Sequence, residues 1–175
     1  METKHFFIKV SKLSEGENHA QFELSDDFFV SNGSNLISNC KLKADVEISK
    51  LEATSRIKFH IHGTVDVDCD VCNKSICLPL DFTQYALLKI TDAIADDSNT
   101  EEDIIYLHKS EDMVYFDELI YDFVLISMPM KKSCDIEGVV RNCDDTMLKK
   151  LENLSHDHED LDDRWDNLKK LKFDN

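Results

Sequence analysis

The sequence predicts an α+β fold: an antiparallel β-sheet or a partly closed barrel in the N-terminal half, with a helical C-terminal part packed on it. Two patterns carry this prediction. Apolar and polar side chains alternate strictly through residues 56–69, which is typical of a strand with one buried and one solvent-facing side. In the second half, apolar residues recur at helical spacing, as an amphipathic helix requires: Phe116, Leu119, Ile120, Phe123 and Val124.

The alternating pattern also predicts the neighbouring strands. Residues 41–49 alternate in the same way and end shortly before 56–68, so these two segments are expected to form a hairpin. Residues 82–90 repeat the pattern, and residues 104–107 are expected to return to the sheet as a short strand. Gly63 falls on the apolar side of its strand, where a bulge or a close backbone approach is expected.

Three helices are predicted after the strands. The first ends at Pro129, because proline cannot continue a helix. A second follows Asp144 or Asp145, either of which can cap it. A third is predicted at 161–172. The apolar residues that indicate the last two helices are Met147, Leu148, Leu151 and Leu154, and then Leu161, Trp165, Leu168 and Leu171.

These elements divide the chain into three parts. Residues 1–110 form a β-rich domain that includes an acidic loop at 91–103. Residues 111–154 form the helical part packed on the sheet, and residues 155–175 form a linker and a C-terminal amphipathic helix.

The charge of the chain restricts its partners. The net charge is −16, and residues 91–130 hold one Lys or Arg against eleven Asp and Glu. Nucleic-acid binding depends on Lys and Arg that displace phosphate counterions, so only weak binding to free RNA is expected. A strongly acidic surface suits a basic protein partner.

The same composition indicates where the protein acts. No apolar run approaches the roughly 20 residues that a membrane helix needs. The first residues also lack the apolar core of a signal peptide. We therefore predict a cytoplasmic protein with no membrane partner.

Four of the six cysteines predict a metal site. Cys69 and Cys72 form a Cys-x-x-Cys pair at the end of the clearest strand, and Cys134 and Cys143 follow about sixty residues later. Two such pairs, brought together by folding, make a tetrahedral structural zinc site. Cys77 could replace one of these ligands, whereas the isolated Cys40 is expected in the core. The alternatives are ordinary packed thiols and a redox-active Cys-x-x-Cys pair.

Motifs typical of enzymes are scarce in this sequence. It has no Gly-x-Ser-x-Gly, no glycine-rich phosphate loop and no His-Glu-x-x-His, which predicts a protein without catalytic residues. The alternative is a thiol- or metal-dependent enzyme that uses Cys69 and Cys72. His60 and His62 share the polar face of a strand and could form a ligand pair, but we interpret them as exposed strand histidines.

Several segments together resemble a known family. They are Gly63-Thr-Val-Asp-Val-Asp-Cys-Asp-Val-Cys72, Phe116-Asp-Glu-Leu-Ile-Tyr-Asp-Phe-Val-Leu-Ile-Ser-Met-Pro129, Met147-Leu-Lys-Lys-Leu151 after Cys143, and Asp163-Arg-Trp-Asp-Asn-Leu-Lys-Lys-Leu171. This combination resembles the YceD family, the large-subunit ribosomal-RNA accumulation proteins of bacteria and plastids.

The resemblance implies a non-enzymatic role in 23S ribosomal RNA accumulation and large ribosomal subunit biogenesis, exerted by binding. The implied partners are large-subunit components, in particular a basic protein. Many family members have Cys-x-x-Cys where this chain has Cys69 and Cys72. Because the cysteines vary within the family, the resemblance does not itself imply a metal.

Overall fold

The computed structural model describes residues 5–51, 54–92, 104–139 and 143–156. Its strands are β1 (Phe7–Lys9), β2 (Gly16–Leu24), β3 (Ser38–Lys50), β4 (Thr54–Asp68), β5 (Ser75–Thr91), β6 (Ile104–His108) and β7 (Met113–Tyr115). Its helices are α1 (Asp26–Ser31), α2 (Asp117–Ser127) and α3 (Asp145–His156), and a 3-10 turn spans Val10–Lys12. None of the described helices is long and apolar enough to cross a membrane.

The α+β class is confirmed, with strands predominating. A five-stranded sheet has the order β2-β3-β4-β5-β6, while β1 and β7 form a separate antiparallel pair. The predicted β3–β4 hairpin is confirmed, with Ala44 opposite Ile61. The barrel alternative is wrong, because β2 and β6 lie at opposite edges of an open sheet.

The last strand departs from the predicted antiparallel sheet. Strand β6 joins β5 in parallel, with Ile104 opposite Leu87 and His108 opposite Thr91. Parallel pairing thus places Ile104, the first residue of β6, beside Leu87 rather than beside the last residue of β5. Alternation of side chains indicates a strand and its buried side, but not the direction in which that strand runs.

The buried face of the sheet and one face of α2 form the core. The apolar side of β4 is buried from Ile57 to Val67, as its alternation predicts. The Phe59 ring contacts Phe116 and Phe123, with ring centroids 5.3 Å and 5.5 Å apart. The predicted packing of the first helix on the sheet is therefore observed for α2.

The second predicted helix is present as α3, but it packs less. Met147 packs against the core, whereas Leu148, Leu151 and Leu154 are exposed. The prediction that the whole helical part packs on the sheet thus holds for α2 and only at the start of α3. The predicted helix at 161–172 and most of the acidic loop, residues 93–103, lie outside the described residues. The division at residues 110 and 154 stays a prediction.

Gly63 provides the close backbone approach that its position predicts. Gly63 lies directly opposite Leu42 and adopts φ +137°, whereas the register shift that marks a bulge lies on β3, between Ser38 and Lys41. A Cβ on Gly63 would lie 2.1 Å from the carbonyl oxygen of Lys41. Only glycine allows the two backbones to approach so closely.

Replacing Gly63 with alanine is expected to lower the free energy of unfolding by roughly 1–3 kcal/mol, because the new Cβ meets backbone at a positive φ. Gly16→Ala is the matched control: Gly16 also has positive φ, but a Cβ added there would have nothing within 4 Å. Urea denaturation of both variants measures the difference. A loss for Gly63→Ala no larger than that for Gly16→Ala would contradict a steric role for this close backbone approach.

Candidate metal centre

The Cys-x-x-Cys pair lies on the tight connection between β4 and β5. The Cys69 N–H donates to the Lys74 carbonyl at 2.9 Å, and the Asn73 N–H donates to the Cys69 carbonyl at 2.8 Å. Asn73 has φ +56°, a left-handed conformation that asparagine tolerates better than most residues. This turn brings both sulfurs to the end of the long β4–β5 hairpin.

Asp70 attaches the segment that carries Cys134 to this turn. Its N–H donates to the Lys132 carbonyl at 2.6 Å, and the Lys132 N–H donates back to Asp70 Oδ2 at 2.7 Å. Lys132 Nζ lies 3.3 Å from Asp70 Oδ1. The Lys132 amide and ammonium hold the pKa of Asp70 below its usual range. The chain is thus fixed to the turn two residues before Cys134.

A second ion pair holds the segment that carries Cys143. Lys74, at the end of the turn, pairs with Asp144. Asp144 Oδ1 accepts from the Thr146 N–H at 2.8 Å, so Asp144 is the residue that caps α3. Lys74, followed by Thr146, lowers the pKa of Asp144. Asp144 therefore connects the start of α3 to the Cys-x-x-Cys turn.

These contacts bring together the four cysteines that the sequence predicts as metal ligands. Their sulfurs all lie within 4.8 Å of one another, and Cys72 Sγ is 3.7 Å from Cys134 Sγ. All are free thiols. With zinc–sulfur bonds of about 2.3 Å, tetrahedral ligands lie about 3.8 Å apart. The observed separation is close to that value, and the four-sulfur donor set suits a soft divalent ion such as zinc.

The surroundings stabilise negative charge on two of the sulfurs. Burial raises the pKa of Cys69, but backbone hydrogen bonds from Cys72 and Val71, together with side-chain hydrogen bonds from Cys72 and Cys134, outweigh it, and the net pKa is lowered. Backbone hydrogen bonds from Asp144 and Lys74 lower the pKa of Cys72. Burial raises the pKa of both Cys134 and Cys143. A cation among the four sulfurs would favour the thiolate form of all of them, since metal ligation requires deprotonation.

The remaining two cysteines lie outside this cluster. Cys77 is exposed on β5 and does not join the four-sulfur group as an alternative ligand. The half-buried Cys40 thiol donates to the Leu24 carbonyl at 3.5 Å, and burial raises its pKa to about 11. Cys40 thus packs against the core, in line with the prediction for an isolated cysteine.

Sequence reasoning missed the residues that assemble the cluster. Asp70, Lys74 and Lys132 received no role from the sequence, and Asp144 was considered only as a helix cap. A usable signal was present, because opposite charges flank both halves of the cluster: Asp70 and Lys74 beside the first pair, Lys132 and Asp144 beside Cys134 and Cys143.

The fold and this cluster define a class: an α+β protein whose longest hairpin ends in a four-thiol site shared with the segment after α2. The model of one family, described as large ribosomal RNA subunit accumulation protein YceD, matches residues 57–172, which is more than half of the chain. The chain belongs to the YceD family. This confirms the resemblance. Comparison with curated proteins and with solved structures gave no match.

Proposed function

We propose that this protein is a non-enzymatic factor in 23S ribosomal RNA accumulation and large ribosomal subunit biogenesis, and that it acts in the cytoplasm by binding. The family match over residues 57–172 carries this proposal, because the family's description refers to accumulation of the large ribosomal RNA subunit. A binding role agrees with the burial of the four-cysteine cluster, which lies inside the protein.

The burial of the thiols favours binding over the alternative thiol enzyme. Cys69 is 1% exposed and Cys72 is 4% exposed. A nucleophilic cysteine must reach its substrate, and reactive cysteines are partly exposed. Four converging sulfurs leave no coordination position for a substrate, unlike a catalytic zinc site. We therefore assign the four cysteines a structural role, with zinc as the ion they would hold.

Zinc in this cluster would join the β4–β5 hairpin to the start of α3. The ion would cross-link the two segments and neutralise the thiolates. The chain's own residues prepare the site: Asp70 binds the backbone at 132, and Lys74 binds Asp144. Because the unfolded chain does not hold these segments together, metal-binding energy at this junction would become folding energy.

A groove beside α2 is a surface for the proposed basic partner. It has a volume of about 620 Å³. Its lining combines three carboxylates with two tyrosines, a histidine and an asparagine: Asp117, Glu118, Asp122, Tyr115, Tyr121, His5 and Asn32. Asp117 accepts from the Phe6 N–H at 3.0 Å and so helps to hold β1 in place. Glu118 and Asp122 lie one helical turn apart and can receive a Lys or Arg side chain, which tyrosine faces also attract.

The double variant Glu118→Gln, Asp122→Asn removes two negative charges from the groove and is expected to slow association with basic large-subunit proteins. The effect should be most visible at low salt, because ions screen exposed charges. The double variant Glu17→Gln, Glu23→Gln changes the net charge equally, at residues outside the groove lining, and serves as the control. Tagged protein recovered from growing cells supplies the partners, and stopped-flow binding measures the rates.

The proposal also requires weak binding to protein-free ribosomal RNA. Tight RNA binding that neither double variant changes would show that a local basic surface acts instead. Recovery of no large-subunit component with the tagged protein would contradict the role in subunit biogenesis. The acidic residues at 93–103 stay predicted contributors to the same attraction.

A further inference from the structure

Two histidines lie side by side on the solvent face of the sheet. His60 and His62 alternate with the buried residues of β4, and their ring centroids are 5.0 Å apart. On β3, Asp45 is the direct partner of His60, and on β5, Asp81 is the direct partner of His62. Three neighbouring strands therefore place two imidazoles between two carboxylates.

The side chains contact each other diagonally across the strands. His60 Nε2 lies 2.9 Å from Asp81 Oδ1, and His62 Nδ1 lies 3.6 Å from Asp45 Oδ2. Gln21 on β2 donates its Nε2 to Asp45 Oδ1 at 2.6 Å. Because Gln21 holds that oxygen, the other carboxylate oxygen of Asp45 faces His62. One donor atom from each of Asp45, His60 and His62 lies within 4.8 Å of the others.

One of these donor atoms lacks a hydrogen bond. His62 Nδ1 is buried at the atomic level and has no hydrogen-bond partner among the described residues. Its 3.6 Å separation from Asp45 Oδ2 is too long for an N–H···O bond. Two ligands about 2.1 Å from one tetrahedral ion lie about 3.4 Å apart. The separation therefore suits an ion between the two atoms better than a shared proton.

Nearby lysines do not neutralise this cluster. Lys58 pairs with Glu47 at 3.0 Å, and Lys43 pairs with Glu23 at 3.9 Å. Within the described residues, the ion-pair partners of Asp45 and Asp81 are the two histidines themselves. A group of imidazole and carboxylate ligands with excess negative charge is suited to a late first-row divalent cation.

We propose that Asp45, His60 and His62 form a second metal site, on the solvent face of the sheet, for a late first-row divalent cation such as Ni²⁺ or Zn²⁺. Asp81 holds the His60 ring, as carboxylates beside metal-binding histidines commonly do. All three ligands approach from the sheet, so the ion keeps a coordination position open to solvent. This site is independent of the four-cysteine cluster and of the proposed ribosomal role.

Ni²⁺ titration of the full chain tests the site by calorimetry and histidine NMR, after one equivalent of Zn²⁺ has filled the four-cysteine cluster and unbound Zn²⁺ has been removed. We expect one saturable event that broadens the His60 and His62 ring signals first. His62→Ala and Asp45→Asn should each weaken binding at least tenfold, the range known for loss of metal-site partners. The unfolding midpoint of each variant, measured without Ni²⁺, should stay unchanged because these side chains lie on the solvent face.

Two control variants test whether other histidines of the chain bind the Ni²⁺. His19→Ala removes a histidine from the same face of the sheet, opposite Glu47, and the double variant His156→Ala, His158→Ala removes the pair in the acidic segment. Both should bind Ni²⁺ like the wild type. Absence of saturable binding, an equal loss in either control, or nickel–thiolate absorption with unchanged His60 and His62 signals would overturn the proposal.

Discussion

Protein purified without chelator is expected to hold about one equivalent of zinc, and Cys69→Ser is expected to lose it. Apparent binding energies of structural zinc reach about 10–16 kcal/mol in zinc-finger peptides, so this substitution should have the largest effect on stability. Loss of the ion would leave Cys72, Cys134 and Cys143 without the cation that favours their thiolate forms. Metal analysis and thermal unfolding, with and without chelator, measure both consequences.

Two cysteines of the same chain supply the controls. Cys40→Ser and Cys77→Ser change thiols outside the cluster, so both variants should keep the zinc of the wild type. Cys77 is the better stability control because it is exposed, whereas Cys40 is half-buried. A zinc content below about a tenth of an equivalent in the wild type, with all four cluster thiols freely reactive, would rule out the structural zinc site.

Phe59→Ala is expected to lower the free energy of unfolding by about 3–5 kcal/mol, as large-to-small changes in cores do. Phe59 is fully buried and contacts the rings of Phe116 and Phe123, which join the sheet to α2. Alanine would leave a cavity at this junction. Chemical denaturation, analysed as a two-state transition, measures the loss.

Lys58→Ala is the matched control one residue earlier on the same strand. Its side chain points to solvent and pairs with Glu47 at 3.0 Å, and exposed ion pairs contribute little. We expect a cost below about 0.5 kcal/mol. Similar losses for Phe59→Ala and Lys58→Ala would mean that the buried and exposed sides of β4 are assigned incorrectly.

Local sequence patterns were enough to predict which sides of the main elements are buried. Strict alternation in β4 and helical spacing in α2 are local patterns, and each identifies the face that leaves water. The close backbone approach at Gly63 is also a local feature, since a glycine on an apolar strand face marks such an approach.

Features that depend on residues far apart in the chain, and elements too short to show a period, could not be predicted from the sequence. Strand β5 begins at Ser75, earlier than the predicted start at 82, although Pro79 lies within it. The β5–β6 pairing covers only 87–91 of β5, so the missing N–H of Pro79 costs no hydrogen bond to β6. Helix α1 was not predicted, because six residues are too few to show a helical period.

In the four-cysteine cluster, the sequence predicts the ligands, and tertiary contacts bring them together. The residue types and the Cys69–Cys72 spacing predicted the ligands, because thiols in pairs are a local signature of metal binding. Eight residues separate Cys134 from Cys143, a spacing too loose to predict that these two sulfurs converge. Tertiary contacts bring these two sulfurs together: Asp70 binds the backbone at Lys132, and Lys74 binds Asp144. The first of these contacts joins residues 62 positions apart, a relation that no local pattern encodes.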